Sequence, residues 1–253
     1  MSFSGVTFTG ADESVEPDAL LSVTSFYLPI EWAFLLHRER QGRAECHPGL
    51  DWLAKVPPNL RLAGHLCGEL CRAFLRGDDA ELLESYAAVW PRLNRIQLNA
   101  CCTGPVDWDV KELATLVHKH ATKTFIIPVR DDDLRLAEAL LEETRPKRSN
   151  SFVRVAVLFC APGGPGVTPA DWPIARKRFL GCGYAGGLNP ENARQQVQQI
   201  HRRARRAQSW WLDSGSGLRS AAPPGSARST RFDLRRCRQV LDEIGRYFLD
   251  YSI

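Results

Sequence analysis

The chain has 253 residues, of which 44% are hydrophobic and 25% are charged, and its formal net charge at pH 7 is +4. These values indicate a globular protein with a large core. The eight cysteines are irregularly spaced in a chain too long for a small disulfide scaffold. Because the first residues also lack the basic and apolar regions of a signal peptide, we expect a cytoplasmic protein with reduced thiols.

Basic residues concentrate in two clusters, HRERQGR at 37–43 and HRRARR at 201–206. A solvated surface explains such runs, and an anionic partner is the alternative. Neither cluster comes with the signature of a nucleic-acid-binding module, so we expect no nucleic-acid partner. The most apolar N-terminal run is interrupted by Pro29 and Glu31 and is too short to span a bilayer. We therefore expect no membrane association.

Eight short apolar segments alternate with longer amphipathic ones along the chain. Several are nearly continuous apolar runs, which is typical of strands buried on both faces. The predicted strands are GVTFTG (5–10), IEWAFLL (30–36), LRLAGHL (60–66), RIQLN (95–99), TFIIPV (124–129), VRVAVLF (153–159), RFLGCGYA (178–185) and SWWLD (209–213). The predicted helices lie within 66–75, 78–89, 110–121, 132–144, 189–204 and 232–248.

Eight strands with helical segments between them predict an α/β fold, a single parallel (β/α)8 or TIM barrel over residues 1–253. An open doubly wound sheet is the alternative, and periodicity alone does not exclude it. The number of strands favours the closed barrel. Residues 219–231 are rich in Pro, Gly, Ser and Arg, so we expect a mobile loop there.

The loop after the seventh strand has the composition of an anion site. Chemistry in a barrel lies in the loops that follow the strands, and here Gly186 and Gly187 would let the backbone approach a ligand closely. Asn189 is a favourable N-cap and Pro190 suits the first helical position. A helix is therefore predicted to begin directly behind the glycines, with its free N–H groups directed at the loop.

The loop after the eighth strand offers a second set of donors. Gly215, Ser216 and Gly217 place backbone N–H groups and a hydroxyl next to the first loop, where barrels commonly hold a phosphate. Together the two loops predict a phosphate site. The alternative is that both are tight turns needed only to close the barrel. Gly163 and Gly164, after the sixth strand, predict either a ligand-binding lid or a simple turn.

Three titratable side chains near strand ends are candidates for catalysis. His65 would transfer protons at neutral pH, or else be a buried histidine next to a helix. Cys160 would be an activated thiolate, or a buried apolar cysteine. Asp213 would orient a ligand hydroxyl, or cap its loop. His65 with Cys67 and Cys71 has donors that suit zinc, but no further pair completes a tetrahedral set, so we predict no metal and no cofactor.

The loop motifs resemble those of phosphoribosylanthranilate isomerase, the barrel enzyme of tryptophan biosynthesis. AGGLNPEN is similar to the family's pattern after the seventh strand, DSGSGLR to its D-x-x-S-G, and RIQLN to its V-Q-L-H with Asn99 in place of His. GGPGVTPADW resembles its G-G-x-G-x-x-F-D-W loop, with Ala170 where an aromatic residue is expected. The GG-x-x-P-E-N element also occurs in thiamine phosphate synthase and related phosphate-binding barrels.

The resemblance implies a barrel of the ribulose-phosphate-binding type and a small phosphorylated ligand, such as a phosphoribosyl compound. The family often has a basic loop after the second strand that faces a substrate carboxylate. Arg40 and Arg43 lie in that loop here, so the resemblance makes them candidates for a second anionic group. A solvated basic loop is the alternative.

The family's catalytic residues are not matched. Thr9 stands where the resemblance places a cysteine general base, and Phe159-Cys160 stands where it places an aspartate general acid. Threonine has no pKa near neutrality and does not serve as such a base. The sequence therefore predicts an isomerase-like phosphate-binding barrel without the standard chemistry. The alternative is a non-catalytic phosphate-ligand-binding or scaffold protein.

Overall fold

The protein is a closed barrel of eight parallel strands, seen in a computed structural model that describes residues 2–25, 28–99, 108–145, 154–161 and 166–251. β1 pairs with both β2 and β8, which closes the barrel and confirms the (β/α)8 prediction over the open sheet. The strands are β1 Ser2–Thr9, β2 Ile30–Leu36, β3 Leu62–Leu66, β4 Leu93–Leu98, β5 Thr124–Val129, β6 Arg154–Cys160, β7 Cys182–Ala185 and β8 Ser209–Ser214.

Amphipathic helices cover the outside of the barrel with their apolar faces against the strands. They are α1 Leu50–Ala54, α2 Gly68–Leu75, α3 Ala80–Ser85, α4 Val110–Lys119, α5 Arg135–Glu143, α6 Ala193–Arg203 and α7 Leu234–Tyr251. Two connections depart from the expected alternation. A 3-10 helix, Pro17–Ser22, follows β1, and the described residues 166–181 between β6 and β7 form no α-helix. Prolines at 169 and 173 break that segment.

Side chains alternate between the barrel interior and the layer under the helices. Trp211 faces inward and packs with Ile126, Ala156 and Leu158, whereas Trp210 belongs to the outer core. Gly183 makes room for the inward ring, because a Cβ at this position would lie 2.3 Å from the Trp211 indole. The interior is therefore a packed core rather than a channel.

A buried ion pair lies inside the barrel toward the N-terminal ends of the strands. Nε of Arg95 donates to both carboxylate oxygens of Glu31, at 2.8 and 2.9 Å. The same guanidinium donates to Oγ1 of Thr7 at 2.7 Å and stacks over the Trp211 ring at 4.4 Å. Glu31 is 4% exposed and the Arg95 side chain is 16% exposed, so the carboxylate is buried and the guanidinium is mostly buried.

The segment predicted as a mobile loop contains a two-stranded antiparallel hairpin, β9 Arg219–Ala221 and β10 Thr230–Phe232. Arg219 joins it to the loop after β1 by donating to Oδ2 of Asp12 at 3.0 Å and to the carbonyl of Gly10 at 3.1 Å. The mobility of 219–231 stays a prediction. No helix in the described part of the chain is long and apolar enough to cross a bilayer.

Candidate functional site

A pocket of about 200 Å³ opens at the carboxyl ends of the strands, where the sequence predicts the site. It is lined by strand-end side chains and by the glycine loops after β6, β7 and β8. The predicted residues that line it are His65, Cys160, Asp213, Gly186, Gly187, Gly215 and Ser216. Gly217 does not line it, and Gly163 and Gly164 fall outside the described residues.

Helix α6 begins later than predicted, at Ala193 instead of Pro190, after a turn at 190–192. The N-cap of α6 is therefore Asn192, which makes no side-chain cap hydrogen bond, and the predicted cap at Asn189 is wrong. Asn189 instead stabilises the turn before the helix, where its Oδ1 accepts from the N–H of Asn192 at 3.0 Å. Oδ1 of Asn192 in turn accepts from the N–H of Asn189 at 3.0 Å. This reciprocal pair has the form of a capping box, in which asparagine takes the place of the usual glutamate.

The glycines allow the three loops to pack against one another. Gly187 has a φ of 55°, and a Cβ there would lie 2.7 Å from the carbonyl oxygen of Gly166. A Cβ on Gly217 would lie 2.2 Å from the carbonyl oxygen of Leu188. Both positions therefore exclude any side chain. For Gly217 the close approach is to the neighbouring loop, which fits the tight-turn alternative as well as the phosphate site.

Backbone donors from two of these loops meet at the pocket. Among the described residues, no hydrogen bond is donated by the N–H groups of Gly187, Leu188 or Ser216, and all three residues line the pocket. The Gly187 carbonyl accepts from the side chains of Asn189 and Asn192, at 3.1 and 2.9 Å. Because C=O and N–H point in opposite directions in a trans peptide, this directs the Leu188 N–H away from the helix start.

His65 and Asp213 form a buried pair at the pocket, 3.9 Å apart from Nε2 to Oδ2. Thr9 donates its hydroxyl to Oδ1 of Asp213 at 2.8 Å. Burial raises the pKa of Asp213 to about 7, against the lowering effects of the Thr9 hydrogen bond and the Arg95 charge. Burial, and then the positive charge of Arg95, lower the pKa of His65 to about 3. The pair therefore holds one proton at mildly acidic pH.

Two pocket residues were missed by sequence reasoning. Gln97 is 5% exposed, and its Oε1 has no hydrogen-bond partner among the described residues. Arg130 follows β5 directly, and its Nε is likewise buried without a partner in that part of the chain. Its position at a strand end was the available signal. Asp131 and Asp132, which resemble a helix start in the sequence, instead have φ values of 50° and 57° and form a turn before α5.

Arg40 and Arg43 are exposed and do not line this pocket. Arg43 borders a separate open groove of about 720 Å³, together with Glu13, Glu16 and Trp52. The structure thus does not bring the basic loop after β2 to the glycine loops. Anion binding by Arg40 or Arg43 stays a prediction.

No metal cluster is found where the structure describes the chain. Within those residues, no three His, Cys, Asp or Glu side chains lie close enough together to hold an ion. His65, Cys67 and Cys71 are therefore not gathered into a metal site. Asn99 instead donates to the sulfur of Cys67 at 3.3 Å.

Fold and pocket together define a (β/α)8 barrel with a candidate ligand site at the carboxyl ends of its strands. The sequence matches no known protein-family profile and no curated protein. Solved structures that are similar over nearly the whole chain are phosphoribosylanthranilate isomerases. Because the identities lie between 13% and 17%, the similarity establishes a shared fold.

Three such structures cover 97% of this chain. Monomers of the dimeric phosphoribosylanthranilate isomerase of Thermotoga maritima have a TM-score of 0.56 at 17% identity, with 99% of that chain covered. Phosphoribosylanthranilate isomerase of the same organism has a TM-score of 0.53 at 15% sequence identity, and 99% of that chain is covered. N-(5'-phosphoribosyl)anthranilate isomerase of Pyrococcus furiosus has a TM-score of 0.51 at 13% sequence identity, and 100% of that chain is covered.

Proposed function

We propose that this barrel binds a small phosphorylated metabolite, such as a phosphoribosyl compound, with its phosphate between the loops after β7 and β8. The observation that carries the proposal is the set of N–H groups at Gly187, Leu188 and Ser216, which border one pocket and donate no hydrogen bond within the described residues. Backbone donors of this kind bind phosphate without a charged side chain. The fold shared with isomerases of phosphoribosyl substrates supports the same ligand class.

Standard isomerase chemistry does not follow from this site. β1 ends at Thr9, where the family has its cysteine base. β6 ends at Cys160, where the family has its aspartate acid. Neither catalytic group is therefore present at its strand end. The Thr9 hydroxyl is engaged by Asp213. If the protein is an enzyme, its proton-transfer groups are His65, Cys160 and Asp213. The second candidate function is a binding or scaffold protein that keeps the phosphate site without turnover.

Phosphate binding is tested by thermal denaturation with ribose 5-phosphate, with ribose as the control ligand. Ribose 5-phosphate at about 100 times its Kd should stabilise the protein by about 2.7 kcal/mol, and ribose should not. Gly217→Ala should weaken binding at least about tenfold, because the added Cβ would lie 2.2 Å from the Leu188 carbonyl oxygen and would push the two loops apart. Gly245→Ala is the matched control, since nothing lies within 4 Å of a Cβ there.

Equal stabilisation by ribose and ribose 5-phosphate would contradict the proposal, as would unchanged binding by Gly217→Ala. If Gly217→Ala does not fold, Ser216→Ala serves as the second variant, because it removes one hydroxyl at the pocket without adding volume. It should weaken ribose 5-phosphate binding and leave the melting temperature without ligand unchanged.

Complementation of a tryptophan auxotroph that lacks phosphoribosylanthranilate isomerase tests whether this protein has the standard isomerase activity. We expect no growth when this protein is supplied, because Thr9 and Cys160 do not replace the base and the acid. Thr9→Cys with Cys160→Asp is the matched variant, and restored growth would show that the pocket accepts the substrate. Growth with the unaltered protein would refute the prediction.

A further inference from the structure

Arg130 is the one permanently charged side chain among the described residues that line the pocket. The other ionisable groups there are His65, Cys160 and Asp213. Burial lowers the pKa of His65 to about 3 and raises the pKa of Asp213 to about 7. Among the described residues, Arg130 therefore supplies a positive charge to the β5 side of the pocket.

This cation has no counter-ion in the described part of the protein. No carboxylate of those residues lies within 4.0 Å of Arg130, and its buried Nε donates no hydrogen bond there. Two of the three aspartates that follow it are engaged elsewhere. Asp132 pairs with Arg176 at 3.6 Å and Asp133 with Arg135 at 2.6 Å. A guanidinium that is partly buried and unpaired is unfavourable unless an anion joins it.

Arg130 follows a different strand from the loops that would hold the phosphate. It follows β5, whereas those loops follow β7 and β8, and β6 lies between them in the closed strand order. Arg130 and Gly187 still border the same cavity of about 200 Å³. A ligand long enough to span the cavity would thus present one end to the loops and the other to the guanidinium.

We propose that Arg130 binds a second anionic group of the ligand, either a carboxylate or a second phosphate, at the opposite end from the phosphate loops. This inference rests on the proposed phosphate site. A planar guanidinium suits either group, because it donates two parallel hydrogen bonds to a pair of oxygens. The ligand class is therefore a phosphorylated metabolite with two separated anionic groups, and the second recognition group comes from β5 and not from the basic loop after β2.

The test compares three probes that share a five-carbon chain and a phosphate: ribose 5-phosphate, 5-phosphoribonate and ribulose 1,5-bisphosphate. Binding is measured by titration calorimetry. At least one of the two doubly anionic probes should bind about tenfold more tightly than ribose 5-phosphate, as expected for a charge-assisted bidentate contact. Arg130→Gln should abolish this preference and leave the affinity for ribose 5-phosphate within about twofold. The probe that loses more affinity identifies the second group as carboxylate or phosphate.

Arg176→Gln is the matched control, because Arg176 lies beside the same turn through Asp132 but does not line the pocket. It should keep the preference of the unaltered protein. Equal affinity for all three probes, or a preference that survives in Arg130→Gln, would overturn the inference while leaving the phosphate site in place. Failure of all three probes to bind would overturn both proposals. Unchanged far-ultraviolet circular dichroism confirms that Arg130→Gln is folded.

Discussion

Replacing Glu31 by alanine is expected to lower the free energy of unfolding by about 3–5 kcal/mol, the range for removing one partner of a buried ion pair. Glu31 accepts two hydrogen bonds from Arg95 inside the barrel, and it is 4% exposed. Without the carboxylate, the mostly buried guanidinium would keep only Thr7 and the Trp211 ring as partners among the described residues. Urea unfolding of the purified variant measures the loss.

Two controls test whether the loss of stability comes from the burial of the ion pair or from the removal of a charge alone. Glu138→Ala breaks the exposed pair with Arg178 and should change stability by less than about 1 kcal/mol. The double variant Glu31→Met with Arg95→Met should be more stable than Glu31→Ala, because well-packed apolar residues can replace a buried pair. A loss below about 1 kcal/mol for Glu31→Ala would show that water reaches this pair.

The positions of the strands were predictable because strands buried on both faces are continuous apolar runs. The carboxyl-end rule for barrels then placed His65, Cys160 and Asp213 at the pocket. The same rule applies to Arg130, but the three aspartates that follow it have the composition of an acidic first helical turn. Only the backbone shows that Asp131 and Asp132 form a turn with positive φ.

Interactions between distant strands were not predictable. Glu31 and Arg95 are 64 positions apart, and His65 and Asp213 are further apart still. Nothing in the local pattern pairs them, since register across a barrel depends on how all strands align. The alignment of the strands also determines that the side chain of Gln97 lines the pocket. The sequence therefore indicates which residues reach the mouth of the barrel, while the strand alignment decides which of them meet.

The His65–Asp213 pair should give two single variants whose stability changes with pH in opposite directions. In His65→Gln only Asp213 remains. Its folded pKa of about 7 lies above its unfolded value, so the folded state binds more protons and stability falls as pH rises from about 4 to 7. In Asp213→Asn only His65 remains. Its folded pKa of about 3 lies below its unfolded value, so stability falls as pH drops from about 6.5 to 3.

Each slope should approach about 1.4 kcal/mol per pH unit, which corresponds to one proton. In the unaltered protein the two slopes cancel between about pH 4 and 6.5, because the pair holds one proton in both the folded and the unfolded state. Neither residue is a main cause of the other's shifted pKa, since burial and Arg95 act on both. The remaining group should therefore keep its shifted pKa in each single variant.

The measurement is urea unfolding at constant ionic strength from pH 4.5 to 6.5, expressed as the difference in free energy from the unaltered protein. The double variant His65→Gln with Asp213→Asn is the control, and its difference should not change with pH. Slopes of the same sign in both single variants would mean that the buried pair does not carry one proton. Opposite slopes would show that a proton is held at the pocket across this range, next to the site proposed for the phosphorylated ligand.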